Sequence, residues 1–265
     1  MPSSTSVRVF ETAKEVARVA AEQFVELAHR AAAEHGRFAV ALAGGNTPRQ
    51  MYQVLAGDPF RNQIDWKSVH LFFGDERCVP HDHADSNYRM AFDTLISQVD
   101  IPVSNLHAIK GEGDPTANAT SYDAELRAFF PDLPKPRFDL VLLGLGDDGH
   151  TASLFPHTDA LRATAEWVVA NWVEKLREHR ITLTAPAING AANVTFAVVG
   201  AGKAPAVAEV LGGPTQPERL PVQMIKPEAG TLTWLLDSAA ASRLPKPPSP
   251  LAVHVAERPE DDNED

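Results

Sequence analysis

Apolar residues recur at three- and four-residue spacing through Ala13, Ala17, Ala20, Phe24, Leu27 and Ala31. That period predicts one amphipathic helix over residues 11–34, stopped by Gly36. The pattern then changes. Residues 38–43 are continuously apolar, as a strand covered on both faces must be. Gly44-Gly45-Asn46-Thr47-Pro48 reads as a turn. Pro48 to Leu55 reads as a helix, with Thr47 as its N-cap and Pro48 at the first helical position. The alternation continues with a strand over 68–73, helices over 85–98 and 115–130, and a strand over 138–143. Further strands are expected over 167–173, 180–184 and 194–200, then a helix over 203–211. Short buried strands alternating with helices predict an α/β protein with a doubly wound, mostly parallel, Rossmann-like sheet flanked by helices.

No change of composition interrupts this pattern before about residue 244, so residues 1–244 are expected to form a single α/β domain. Pro245, Pro247, Pro248 and Pro250 then lead into an acidic end. The segment 245–265 is too polar and proline-rich to bury a core and is expected to be a disordered tail. No internal repeat is visible.

Charge narrows the choice of partner. The chain carries −11, of which −5 falls in its last nine residues, leaving −6 on the body. An acidic body argues against nucleic-acid binding, which depends on neutralising phosphates. It leaves room for a local basic pocket around a small anion. Cys78 is the single cysteine, so no disulfide can form within the chain, which suits a reducing compartment. No apolar run reaches 18 residues and the first ten residues lack a secretory pattern. A cytoplasmic protein without a membrane partner is expected, and a monomer or weak oligomer.

In open parallel sheets, ligands bind beyond the carboxyl ends of the strands. Four such ends carry suggestive residues. Gly44 and Gly45 let the backbone approach an anion, and Thr47 adds a hydroxyl at a helix N-terminus. The same residues would equally serve a plain strand-to-helix turn. Asp75, Glu76 and Arg77 could aim a guanidinium at a phosphate, or form a surface ion pair of little energetic weight. Lys203 opens a helix against the macrodipole, a conflict that a bound anion would remove, although a solvated lysine explains it as well. Gly144-Leu145-Gly146-Asp147-Asp148-Gly149 matches the spacing of a dinucleotide loop. Two carboxylates in the turn and Pro156 shortly after argue against that use. His150, two residues after Asp148, is instead a candidate general base; a loop histidine bonded to backbone is the plainer alternative.

Other signals are weaker. Cys78-Val79-Pro80-His81-Asp82-His83 has metal-binding residue types but no second cluster, so no metal is expected. No G-x-S-x-G elbow and no Walker A loop are present.

Taken together, these blocks resemble the family of 6-phosphogluconolactonases and glucosamine-6-phosphate deaminases. Ala41 to Pro48 is similar to its S-G-G-S-T-P loop, with Asn46 in place of the usual serine. Phe73 to Arg77 is similar to the lactonase F-x-D-E-R block, and Leu143 to Pro156 to the lactonase signature. Residues 180–184, 199–204 and 232–237 also fit, and the resemblance spans roughly residues 8–242. Deaminases resemble D-E-Y at 75–77 and I-A-F-N-E-P after the D-G-H, where this chain has Arg77 and Thr151-Ala152-Ser153-Leu154-Phe155-Pro156. The ring-opening glutamate of the deaminases is therefore missing.

The resemblance implies a lactonase of the oxidative pentose phosphate pathway. It would open 6-phospho-D-glucono-1,5-lactone to 6-phospho-D-gluconate without a cofactor. His150 would deprotonate water, and Asp148 would orient the imidazole or the loop. Gly44, Gly45, Thr47, Asp75, Arg77 and Lys203 would hold the substrate and its phosphate, with Arg180 as a further anion contact. A deaminase-like isomerase and a non-catalytic sugar-phosphate sensor are the alternatives.

Overall fold

The computed structural model describes residues 4–245. Strand β1 (Ser4–Phe10) precedes helix α1 (Ala13–His35), β2 (Phe38–Leu42), α2 (Asn46–Ala56), β3 (Val69–Phe73) and the short β4 (Asp75–Arg77). Helices α3 (Asn87–Thr94) and α4 (Pro115–Phe129) lead to β5 (Leu140–Leu143). Then come β6 (Val168–Val173), β7 (Glu178–Leu183), α5 (Ala185–Asn189), β8 (Asn193–Val198), α6 (Ala204–Gly212) and β9 (Thr231–Asp237).

Six strands form one wholly parallel sheet in the order β1-β9-β8-β5-β2-β3. From β2 the chain winds outward to β3, then returns to lay β5 on the other side of β2 and continues through β8 to β9. The winding therefore reverses between β2 and β5, and the crevice beyond their carboxyl ends is where such sheets bind ligands. Strands β2 and β5 are buried along their whole length, which accounts for their unbroken apolar sequences.

Helix α1 follows its apolar period closely. Thr12 and Glu15 form a reciprocal capping box, and Gly36 ends the helix in a left-handed conformation at φ 80°. At α2 the structure corrects the expected start. The helix begins at Asn46 with Gly45 (φ 97°) as its N-cap, so Thr47 lies within the first turn and makes no capping bond. A glycine that can take this backbone angle ends the approach to the helix two residues before the threonine.

The second correction concerns the two strands β6 and β7, which do not extend the parallel sheet as β8 and β9 do. Strands β6 and β7 are joined by a four-residue turn and pair antiparallel, and β7 pairs antiparallel with β4. So short a connection permits only antiparallel pairing. This small sheet, β4-β7-β6, continues from the end of β3 through Gly74 and stands over the carboxyl edge of the parallel sheet. Buried side chains of both sheets join one apolar cluster. The tail beyond residue 245, expected to be disordered, lies outside the described residues.

Candidate active site

Four strand ends and the small sheet enclose a cleft of about 620 Å³. Gly44, Gly45, Asp75, Arg77, Asp148, His150, Arg180 and Lys203 all line it. Thr47 does not, because it is carried away on the first turn of α2.

The loop after β5 is built around His150. Gly146 N–H donates to the His150 carbonyl at 2.8 Å, and Thr151 Oγ1 donates to the Gly144 carbonyl at 2.9 Å. The ring lies directly against Gly146, where a Cβ would come within 2.0 Å of Nδ1, so only glycine leaves room for it. No helix follows, contrary to what a dinucleotide loop requires. His150 Nδ1 donates to Asp148 Oδ1 at 2.5 Å, and Phe155 stacks on the ring at 4.1 Å. With Nδ1 holding its hydrogen toward Asp148, Nε2 carries the lone pair of the neutral ring. Both side chains keep just under a third of their surface exposed. Burial alone would raise the Asp148 carboxyl, but hydrogen bonds from His150 and Lys175 outweigh it and hold the group well below the usual carboxylate range.

This loop is bolted to the small sheet. Ser153 N–H donates to Thr182 Oγ1 at 3.1 Å, and Asn171 Nδ2 donates to the Ser153 carbonyl at 2.9 Å. Ser153 Oγ donates to Asp75 Oδ2 at 2.6 Å, while Asn87 Nδ2 reaches Asp75 Oδ1 at 3.1 Å. Asp75 thus lines the cleft with both oxygens already engaged. It acts as a brace between loops, a role better matched to a carboxylate than contact with a phosphate. Neighbouring Glu76 is buried and accepts the N–H groups of Arg77, Asn87 and Tyr88 at 2.7–2.8 Å, tying α3 to β4.

The cations face one another across strands. Arg77 and Arg180 are direct partners in the β4–β7 register. Like charges in this position repel unless an anion lies between or near them. Arg180 is only 11% exposed; its Nη2 meets Glu178 at 2.6 Å, while Nη1 is buried without a hydrogen-bond partner among the described residues. A buried guanidinium N–H left unpaired is costly and marks a place for an acceptor. Lys203 sits in the 3-10 turn ahead of α6, and its Nζ pairs with Asp147 at 2.6 Å. That carboxylate supplies the negative charge that its place at a helix start invites. The turn is held by Asp237 at the end of β9, which accepts the Gly200 N–H at 3.0 Å.

Asn87, Ser153 and Lys175 were not among the residues expected from sequence. Ser153 lies within the signature block and could have been reached through it. Asn87 and Lys175 sit on a helix and a hairpin turn that no strand-end rule singles out.

Among the described residues no three His, Cys, Asp or Glu side chains converge to hold a metal ion. His81 of the cysteine–histidine segment bonds instead to the Ile109 carbonyl at 2.8 Å and stacks on Tyr88. No helix among the described residues is long and apolar enough to cross a membrane.

The sequence model of the family described as glucosamine-6-phosphate isomerases/6-phosphogluconolactonase matches residues 11–234. A 6-phosphogluconolactonase of Synechocystis is 44% identical over 218 residues, covering 81% of this chain and 88% of its own. Among solved structures, one described as the devB protein superposes with a TM-score of 0.84 at 35% identity, covering 91% of this chain and all of the other. The 6-phosphogluconolactonase of Trypanosoma cruzi superposes with a TM-score of 0.80 at 26% identity, covering 92% and 98%.

Proposed function

Since the chain belongs to the glucosamine-6-phosphate isomerase/6-phosphogluconolactonase family, we propose that it hydrolyses 6-phospho-D-glucono-1,5-lactone to 6-phospho-D-gluconate, a step of the oxidative pentose phosphate pathway, in the cytoplasm. The observation that carries this reading is one cleft holding a histidine–carboxylate pair together with an unpaired, buried guanidinium N–H.

His150 Nε2 takes a proton from water as its oxygen attacks the lactone carbonyl. The imidazolium formed is stabilised by Asp148, which also keeps the ring in the productive tautomer. Collapse of the tetrahedral intermediate breaks the bond to the ring oxygen, and His150 returns the proton to it. Arg180 and Arg77 hold the 6-phosphate, with Lys203 and the backbone of Gly44 and Gly45 at the same rim. Holding this non-reacting group converts binding energy into orientation at the reacting carbon. The reading needs no metal or organic cofactor and draws every group from one α/β unit. Phe155 occupies the region where a deaminase resemblance would require a glutamate, and its ring stacks on His150.

The test is hydrolysis of freshly made 6-phosphoglucono-1,5-lactone against its spontaneous rate, with wild type beside His150→Ala. Fast turnover that drops by about 2–4 orders of magnitude in the variant is expected, the scale of a general base. Wild type that binds the lactone without accelerating its hydrolysis would instead identify a sensor.

A further inference from the structure

Lys175 differs from the other cations of the cleft in where it comes from. It sits in the turn between β6 and β7, closed by the N–H groups of Leu176 and Arg177 donating to the Val173 carbonyl at 3.0 and 2.8 Å. Its side chain is about half exposed, yet it lines the cleft and its ammonium is paired there. Nζ donates to Asp148 Oδ2 and lies 4.9 Å from the centre of the Phe155 ring. The other oxygen of Asp148 takes His150 Nδ1, and the other face of the contact is closed by Phe155 stacked on His150. Four side chains therefore form a closed ring of contacts, with the lysine delivered by a separate sheet.

A carboxylate beside an imidazole favours the imidazolium, and a protonated ring cannot accept a proton from water. A cation on the far oxygen of that carboxylate opposes this pull and fixes the rotation of the carboxylate as well. We propose that Lys175 is a positioning residue: by holding the far oxygen of Asp148 it keeps the His150 ring aimed into the cleft and offsets the pull of that carboxylate toward the imidazolium. This rests on the general-base reading of His150 given above. The depressed Asp148 carboxyl, with Lys175 among its causes, agrees with the geometry. The other charged groups lining the cleft are Asp75, Arg77, Asp147, Arg180 and Lys203. Of these, Asp147 is matched by Lys203, Arg180 by Glu178, and Asp75 is held by the neutral Ser153 and Asn87. Arg77 donates to the Asp85 carbonyl. None of them touches Asp148, so among the described residues Lys175 is the lysine or arginine whose removal changes its charge balance directly.

The experiment reads His150 without relying on turnover. Ring signals are followed by NMR against pH in the full chain, with His150 assigned by the signal lost in His150→Gln. In Lys175→Met the His150 ring is expected to titrate about 0.5–1 pH unit higher than in wild type, the scale of one partly screened charge a few ångströms away. Lys175→Arg should restore the wild-type midpoint, and Lys175→Gln should behave like the methionine variant, which guards against a folding defect peculiar to one substitution. In parallel, the acid limb of kcat/KM for 6-phosphogluconolactone should move upward by the same amount in Lys175→Met. Superimposed His150 titrations in wild type and both neutral variants overturn the proposal, whatever the turnover. A shifted titration in a wild-type background that does not hydrolyse the lactone leaves Lys175 in this role and removes the substrate reading instead.

Discussion

The His150–Asp148 and His107–Glu125 pairs are of nearly equal length, 2.5 and 2.7 Å, and each joins an imidazole Nδ1 to a carboxylate. Each ring also stacks on a phenylalanine at 4.1 Å, but the rest of their surroundings differ. His107 lies flat on Phe72 with ring centres 4.1 Å apart, and its Nε2 faces His70 Nδ1 at 3.2 Å. Both of its nitrogens are spoken for, and Phe129 packs on its edge. His150 has one nitrogen committed and lines a cleft edged by Arg77, Arg180 and Lys203. The comparison teaches that a histidine beside an acid is a component of many cores. The general-base role proposed for His150 rests on what His107 lacks: an uncommitted ring nitrogen, a cleft beside it and cations at its edge.

The sharpest way to break this contrast is to remove each histidine in turn. His150→Ala should lose about 2–4 orders of magnitude in turnover while keeping its urea midpoint close to wild type. His107→Ala should do the reverse, losing about 2–3 kcal/mol of stability from its stacked, buried ring while turnover per folded molecule stays within about threefold. Loss of turnover in both, with both folded, would abolish the distinction.

The charge side of the contrast is probed at Arg180. Arg180→Ala should raise KM for the phosphorylated lactone by about 10–100-fold, as expected for a hydrogen-bonded charge. An unphosphorylated lactone should be affected by less than about threefold. Equal effects on the two substrates would remove the phosphate from this arginine. A smaller effect is expected at Gly146, whose lack of a side chain seats the His150 ring. Gly146→Ala should lower kcat about tenfold or more with little change in KM, since displacing a reacting group by about 1 Å is costly. Unchanged kcat would mean the ring finds its position by another route.

The smallest effect belongs to the other histidine pair. Burial, then the proximity of His107 and Arg37, pulls His70 from its ordinary 6.5 to about 4. The unfolded chain takes up a proton near 6.5 and the folded one only near 4, so stability is lost as pH falls through that window. Allowing for solvent access, the loss is about 1–2 kcal/mol. His70→Gln should flatten this part of the Tm-versus-pH curve; an unaltered slope would show that other groups set it.

How far the sequence led depends on the element. The central strands were legible because burial on both faces leaves no polar positions, and α1 because its period, capping and Gly36 agree. Strand β1 was missed. It is an edge strand, exposed along most of its length, and Ser4 to Phe10 shows no buried run to detect. The antiparallel pairing of β6 and β7 was also missed, although the short interval between them already excluded a crossover. Within the site, residues on strand-end loops were accessible because topology nominates those loops in advance. Lys175 and Asn87 were not, since only tertiary packing brings a hairpin turn and a helix start to the same cleft.

The pairing of β1 has a further consequence, for synthesis. Among the described residues its only strand neighbour is β9, with Ser4 opposite Thr231. On a ribosome adding roughly 5–20 residues per second, the first strand emerges and then waits on the order of tens of seconds for its partner. Throughout that wait a hydrogen-bonding edge with Val7 and Val9 is unclaimed in the cell, and the nascent chain must be kept from pairing elsewhere until β9 arrives.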